Sequence, residues 1–215
     1  MSVVLPSSLA ETDAASVVRW AAQLFGEGAV LTSSFEDPVM VHLIAQHAPQ
    51  IPVVFLDTQY HFAETLWYAH TLQELLGFDL RIVGPREDVE PDDQWRTDVE
   101  GCCQRRKVEP LERTLKDKAA WITGVRRADS ATRANLPVVF NDVIRDVVKI
   151  NPIVAWSDEM VAEYIHEHDL PVNPLTERGY PSVGCWPCTT PVRPGEDPRS
   201  GRWAGSEKTE CGLHR

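Results

Sequence analysis

The sequence predicts an α/β fold, a doubly wound and mostly parallel sheet, on three observations. Apolar stripes at helical spacing alternate along the chain with short apolar runs. Those runs end in polar clusters. A chain of 215 residues with 43% hydrophobic content can bury one sizeable core. A βαβα order of this kind gives parallel strands with helices on both faces, and ligands in such sheets bind beyond the carboxyl ends of the strands.

The elements follow in order. Ser8-Leu9-Ala10-Glu11 has the form of a capping box opening a first helix, whose apolar stripe includes Val17, Val18, Ala21 and Leu24. A strand is expected at about residues 28–33, then a polar turn at 33–37 and a helix from Pro38, since proline suits a first helical turn. Residues 51–56 read as a buried strand closing on Asp57-Thr58, and residues 61–76 as a helix stopped by Gly77. A short strand at 80–83 precedes an acidic, proline-containing stretch, 86–101, expected as a loop or irregular helix. Residues 103–116 form a helix, 119–124 a strand, and 138–150 one or two extended pieces. Ser157 caps a last amphipathic helix that ends near residue 168. From Asp169 onward the chain is rich in proline and glycine and lacks periodicity, which predicts an extended lobe held by a metal site rather than by a core. The expected division is an α/β domain over 1–168, including the helix that carries Cys102 and Cys103, and a C-terminal lobe with a mobile tail over 169–215.

Charge narrows the function. The N-terminus has neither a basic leader nor a long apolar run, and no stretch approaches the roughly eighteen apolar residues of a membrane span. A cytoplasmic protein without membrane attachment is therefore expected. A net charge of -11 disfavours nucleic acid and anionic membranes as partners. Yet cations gather beside cysteine: Arg105, Arg106 and Lys107 follow a cysteine pair, and Arg199 and Arg202 precede the last cysteine. Arg126, Arg127 and Arg133 form a third group after an apolar run. An acidic chain that clusters cations in this way is suited to a small anion.

The five cysteines carry the sharpest signal. Neighbouring Cα atoms lie about 3.8 Å apart, whereas a disulfide wants roughly 4.4 to 6.8 Å, so Cys102 and Cys103 do not suit a bridge to each other. With Cys185 and Cys188 they offer CC plus CxxC, a thiolate set for a soft tetrahedral or cuboidal centre, zinc or iron-sulfur, with a bare CxxC redox pair as the competitor. Cys211 stands alone near the C-terminus, close in sequence to Arg199, Arg202 and His214, and reads as a nucleophile whose thiolate nearby cations would favour. Three polar clusters fall at predicted strand ends: Ser33-Ser34, Asp57-Thr58, and Gly124 with Arg126. The serine pair can offer donors at a helix N-terminus. This turn is neither a Walker loop nor a GxGxxG fingerprint. His42, His47, His70, His166 and His168 read as surface residues, and Trp95, Trp156 and Trp186 as packing.

The combination resembles the assimilatory adenylyl-sulfate reductases, within the wider group of phosphoadenylyl-sulfate reductases and nucleotide-loop pyrophosphatases. The resemblance rests on Ser33-Ser34-Phe35, Phe55-Leu56-Asp57-Thr58 with Tyr60-His61-Phe62, Cys102-Cys103 through Arg106-Lys107-Val108, and Thr123-Gly124 with Arg126-Arg127. It continues through Asn173-Pro174-Leu175, Gly179-Tyr180-Pro181-Ser182, the CxxC segment, 197–203, and Glu210-Cys211-Gly212-Leu213-His214. It implies an adenine nucleotide alpha-hydrolase-like fold, with residues 1–168 binding the nucleotide. It also implies one 4Fe-4S cluster per subunit on Cys102, Cys103, Cys185 and Cys188. Substrate contacts are expected from Ser33, Ser34, Phe35, Asp57, Lys107, Gly124, Arg126, Arg199, Arg202 and His214. Cys211 would attack the sulfur of adenosine 5'-phosphosulfate, release AMP, and carry an S-sulfonate that thioredoxin or a similar dithiol reduces to sulfite. The cysteines favour that substrate over the 3'-phosphorylated one. A homo-oligomer is compatible with the sequence.

Three alternatives keep parts of this reading: an enzyme using the 3'-phosphorylated substrate or both substrates, an ATP pyrophosphatase-type enzyme with structural zinc, and a non-enzymatic iron-sulfur regulator. The pyrophosphatase requires an SGGxDS loop, which the chain lacks. Neither it nor the regulator gives Cys211 a role.

Overall fold

The computed structural model describes residues 3–204, 208, 210 and 212–214. Six strands form one sheet in the order β3-β2-β1-β4-β6-β5. They are β1 (Ala29–Thr32), β2 (Val53–Leu56), β3 (Leu80–Val83), β4 (Ala120–Thr123), β5 (Val139–Asp142) and β6 (Val147–Ile150). All neighbours are parallel except the β5-β6 pair at the edge. The extended pieces expected at 138–150 are thus a hairpin.

Alternation along the strands shows why the sheet is covered on both faces. Ala29 and Leu31 of β1, Val53 and Phe55 of β2, and Ala120 and Ile122 of β4 join the larger core, where α1 (Ala14–Phe25), α2 (Val39–His47), α3 (Ala63–Leu76) and α7 (Asp158–Glu167) pack. The residues between them, Val30, Val54, Leu56 and Trp121, face the other side and meet Leu111 and Leu115 of α6 (Glu109–Leu115). The chain leaves β1 for one face and reaches β4 from the other. β1 and β4 are adjacent, so a crevice opens at their carboxyl ends, the switch point of a doubly wound sheet.

Several boundaries differ from expectation. The first helix is capped not at Ser8 but by Asp13, which accepts from the Ser16 amide at 3.0 Å, and Leu24 is 52% exposed. The stretch 86–101 contains α4 (Gln94–Thr97) and the start of α5 (Val99–Cys103), whose cap is Asp98. A π-helical turn, Gln104–Val108, joins α5 to α6. His42 is buried, its Nδ1 2.8 Å from the Tyr164 hydroxyl where α2 meets α7, because the apolar stripe of α2 carries it inward. Trp156 packs as expected, and Trp186, though 48% exposed, packs edge-on against Tyr60 and Trp95. Residues beyond α7 contain only short 3-10 turns among the described positions. No helix among the described residues is long and apolar enough to cross a membrane.

At the sheet edge, Lys149 of β6 is almost fully buried, with its ammonium 4.2 Å from the centre of the Trp121 ring. Burial pushes its pKa down from 10.5 to about 8, against the pull of Asp142. Between these values the unfolded chain binds more protons, so stability should rise as pH increases through that window. The expected gain is on the order of 3 kcal/mol. Urea unfolding at stepped pH should show the rise in the parent chain and lose it in Lys149→Met. A rise of equal size in both chains would assign it elsewhere.

Candidate active site

The turn leaving β1 is wound tightly. Ser33 Oγ accepts from the Phe35 amide at 3.1 Å, and Asp37 Oδ1 accepts from the Val39 amide at 2.9 Å, capping α2. Phe35 has a φ of 54°. This left-handed conformation puts its ring in the core, against Phe55 at 5.3 Å and Phe78 at 6.3 Å. Phe35 is fully buried and does not line the crevice, which corrects its expected role as a substrate contact. Asp57 is a second correction. Its carboxylate accepts from the Gln59 amide at 2.8 Å in a local turn, and it too lies outside the crevice wall.

The other expected residues converge. Ser33 and Ser34 from the end of β1, Gly124 and Arg126 from beyond β4, Lys107 from the π-helical turn, and Arg199 and Arg202 from the lobe line one cavity. Arg126 is held between Asp129 at 3.0 Å and Asp158 at 2.8 Å. Arg202 donates to Ser182 Oγ at 3.2 Å and the Val183 carbonyl at 3.1 Å, and lies 4.6 Å over the Trp203 ring. Gly184 makes that placement feasible, since a Cβ there would come 2.3 Å from the guanidinium.

Sequence reasoning gave no site role to several residues of the same wall. Glu36 accepts from the Val183 amide at 2.9 Å and from Ser182 Oγ at 3.2 Å. Burial pushes the Glu36 carboxyl up, despite Arg202 nearby, and raises Asp37 likewise. His61 donates from Nε2 to the Leu56 carbonyl at 3.0 Å and packs on Phe55. Burial, aided by Lys107, pushes His61 down to about 4, so it is a neutral imidazole at pH 7. Its Nδ1 finds no hydrogen-bond partner among the described residues. The adjacency of Glu36-Asp37 to the serine turn was the only sequence signal for the carboxylates.

Beside the cavity lie the four thiols, all reduced. Cys102 and Cys103 end α5, whose start is secured by Asp98 accepting from the Gly101 amide at 2.8 Å. Cys185 and Cys188 flank a 3-10 turn begun by Trp186-Pro187 and closed by the Cys188 amide on the Cys185 carbonyl at 3.0 Å. The Trp186 amide donates to the Tyr60 carbonyl, and Thr58 Oγ1 lies 3.2 Å from Cys185 Sγ. Burial and then the charge of Cys185 push the Cys102 and Cys188 thiols up, and Cys102 also feels Cys188. Arg106 opposes the rise at Cys102; Lys107, Arg202 and Lys208 oppose it at Cys188. Arg106 is itself buried, 4.7 Å over the Tyr60 ring. Three thiols therefore share one electrostatic environment, but among the described residues no three His, Cys, Asp or Glu side chains form a site for a single metal ion.

Cys211 lies outside the described residues, as does the side chain of His214. Their neighbours are placed. Leu213 lines the cavity and packs on the smaller core, and Gly212 lies close enough to Val108 that a Cβ would come 3.2 Å from Val108 Cγ2.

Residues 28–191 match the family described as "Phosphoadenosine phosphosulfate reductase domain". The chain is 47% identical over 212 residues to an adenosine 5'-phosphosulfate reductase of Streptomyces coelicolor, covering 96% of this chain and 90% of that protein. A protein of the same name from Rhodococcus opacus is 44% identical, with coverage of 97% and 91%. Among solved structures, a phosphoadenylyl-sulfate reductase from Candida auris in a phosphate complex matches with a TM-score of 0.75 and 27% identity, over 88% of this chain and all of that one. A Candida glabrata FMN adenylyltransferase bound to FAD and pyrophosphate shares the fold at a TM-score of 0.62 and 12% identity.

The lobe that brings Arg199 and Arg202 to the cavity depends on close backbone contact at Gly201, where a Cβ would come 2.1 Å from the Thr190 carbonyl. Gly201→Ala should cost about 2 kcal/mol and lower the melting temperature by roughly 4 to 8 °C. Trypsin should cut faster at Arg199 in the variant. An unchanged melting curve and cleavage rate would mean that the lobe tolerates the side chain.

Proposed function

Since this chain belongs to the phosphoadenosine phosphosulfate reductase family and is an oxidoreductase acting on a sulfur group, we propose that it reduces adenosine 5'-phosphosulfate to sulfite and AMP in assimilatory sulfate reduction. The reaction would pass through an S-sulfonate on Cys211. The observation that carries this reading is the position of Lys107, which lines the cavity at the switch point and also acts electrostatically on Cys188. One cation thus joins the anion-binding crevice to the thiols.

The nucleotide would bind at the carboxyl ends of β1 and β4, with its phosphosulfate near Lys107, Arg126, Arg199 and Arg202. A thiolate approaching that anion meets like charge, and these cations offset the repulsion. The Cys211 sulfur attacks the sulfate sulfur; the S-O bond to the phosphate breaks, and AMP leaves with the electron pair. A thioredoxin-type dithiol then attacks Cys211 Sγ, expels sulfite, and closes its own disulfide to return the Cys211 thiolate. Ser33 and Ser34 supply donors to the phosphate side, and Arg202, held by Ser182 and stacked on Trp203, is pre-oriented for this task.

The donor set, four cysteine thiols in CC plus CxxC, suits a soft metal centre, and the reductase reading favours a 4Fe-4S cluster over structural zinc, which would leave Cys211 without a role. A 4Fe-4S cluster gives each thiolate its own iron and spreads the four apart. Cys102, Cys103, Cys185 and Cys188 would hold one cluster per subunit, which would tie the lobe to α5 and keep Lys107 toward the substrate.

Anaerobically purified protein incubated with adenosine 5'-phosphosulfate and no reductant should gain one sulfo group on the peptide that contains Cys211. Reduced thioredoxin should remove it and release sulfite. Cys211→Ser should lose the adduct while keeping its iron and acid-labile sulfide. An adduct formed only with the 3'-phosphorylated nucleotide would change the substrate. No adduct with either would refute the reductase reading, and zinc in place of iron would refute the cluster.

A further inference from the structure

Arg133, which lines the same crevice as the cations expected to meet substrate, sits on a pair of 3-10 turns, Arg127–Asp129 and Ala131–Arg133, that meet at Ser130. The residue is 8% exposed, and its guanidinium is held on one side by Asp129 at 2.9 Å. On the other side, at 2.8 Å, it meets Oε2 of Glu210. The second oxygen of that carboxylate lies 2.8 Å from Ser130 Oγ and 3.2 Å from Thr132 Oγ1, and Arg199 adds a looser contact at 3.6 Å. Burial alone would raise the Glu210 carboxyl, but the Arg133 and Ser130 hydrogen bonds outweigh it and hold the group below its ordinary value. Both oxygens of one side chain thus have dedicated partners, a match of geometry that a casual surface ion pair lacks.

Two features make this contact more than local. Glu210 immediately precedes Cys211, so its Cα lies about 3.8 Å from that of the cysteine. Asp129, which braces Arg133, also braces Arg126 at 3.0 Å, so alternating charges run from the crevice cation Arg126 through Asp129 and Arg133 to the tail. On the other side of the tail, Lys208 pairs with Glu100 of α5 at 2.6 Å.

We infer that the Ser130–Arg133 turn is a receptor for the Glu210 carboxylate and thereby a positioning site for the thiol of the next residue. The inference rests on the reading of Cys211 as the reacting group. When Glu210 is seated, the tail's freedom is spent before the thiol meets substrate, and the approach of sulfur to sulfur becomes a short-range search. Ser130, Thr132 and Arg133 act on the thiol through Glu210, although Arg133 also lines the crevice.

The test uses anaerobically purified full-length protein and two readouts. Glu210→Gln keeps the side-chain shape and removes its charge. Trypsin should then cut after Lys208 about 10-fold faster, because cleavage needs local release of the tail. Single-turnover sulfonation of Cys211 should slow by a similar factor, with the half-saturating nucleotide concentration nearly unchanged. Glu210→Asp, which keeps the charge on a side chain one methylene shorter, should retain more of both than Glu210→Gln. Wild-type cleavage in Glu210→Gln would overturn the receptor. Faster cleavage with normal sulfonation would keep the contact but overturn its positioning role. If the parent protein is not sulfonated at all, the reductase reading fails while the cleavage rates still decide the receptor.

Discussion

A buried carboxylate joins the two halves of the cavity. Glu36, on the turn that leaves β1, accepts from the Val183 amide and Ser182 Oγ, and Ser182 in turn receives Arg202. The segment after α7 has little regular structure among its described residues and must borrow rigidity from such contacts. Asn173 donates to the Phe35 carbonyl, and the Tyr68 hydroxyl to that of Pro171. Loss of a buried charged partner of this kind strands its counterpart, at a cost of about 1 to 3 kcal/mol. The same network therefore decides stability and the aim of the crevice cations.

The electrostatics around the thiols follow from that arrangement. Burial disfavours thiolates, and Cys102 and Cys188 are both pushed up. Arg106, Lys107, Arg202 and Lys208 work in the opposite direction from three different parts of the chain. A multinuclear centre or a substrate anion would add to the same balance. Lys107 and Arg202 belong to both groups, so a charge placed at either location would be felt at the other.

Much of this was legible in the sequence. The alternation of Ala29-Val30-Leu31 and Ala120-Trp121-Ile122 marks buried parallel strands, and the cationic residues at strand ends and beside cysteines were found by grouping alone. Phe35 was misread because its aromatic ring beside a serine turn looked available. Only its positive φ, which no pattern announces, sends it to the core. His42 was misjudged for a related reason: a polar residue on an apolar helix face is buried when a partner such as Tyr164 arrives from 122 positions away. The partners of Glu36 and Glu210 are equally distant in sequence, so their roles were not readable from local context.

The π-helical turn at Gln104–Val108 has a consequence for how this segment can change over time. Each helical residue advances the chain by about 100°, so the widened turn determines which side chains face inward: Arg106 is buried against Tyr60, while its neighbour Lys107 reaches the crevice. Loss or gain of one residue between Cys103 and Lys107 would rotate everything downstream out of phase, sending a crevice cation toward solvent and disturbing the register of α6 on the smaller core. The segment can therefore vary in composition at its exposed positions but not in length. It behaves as a gear tooth between the thiols and the crevice.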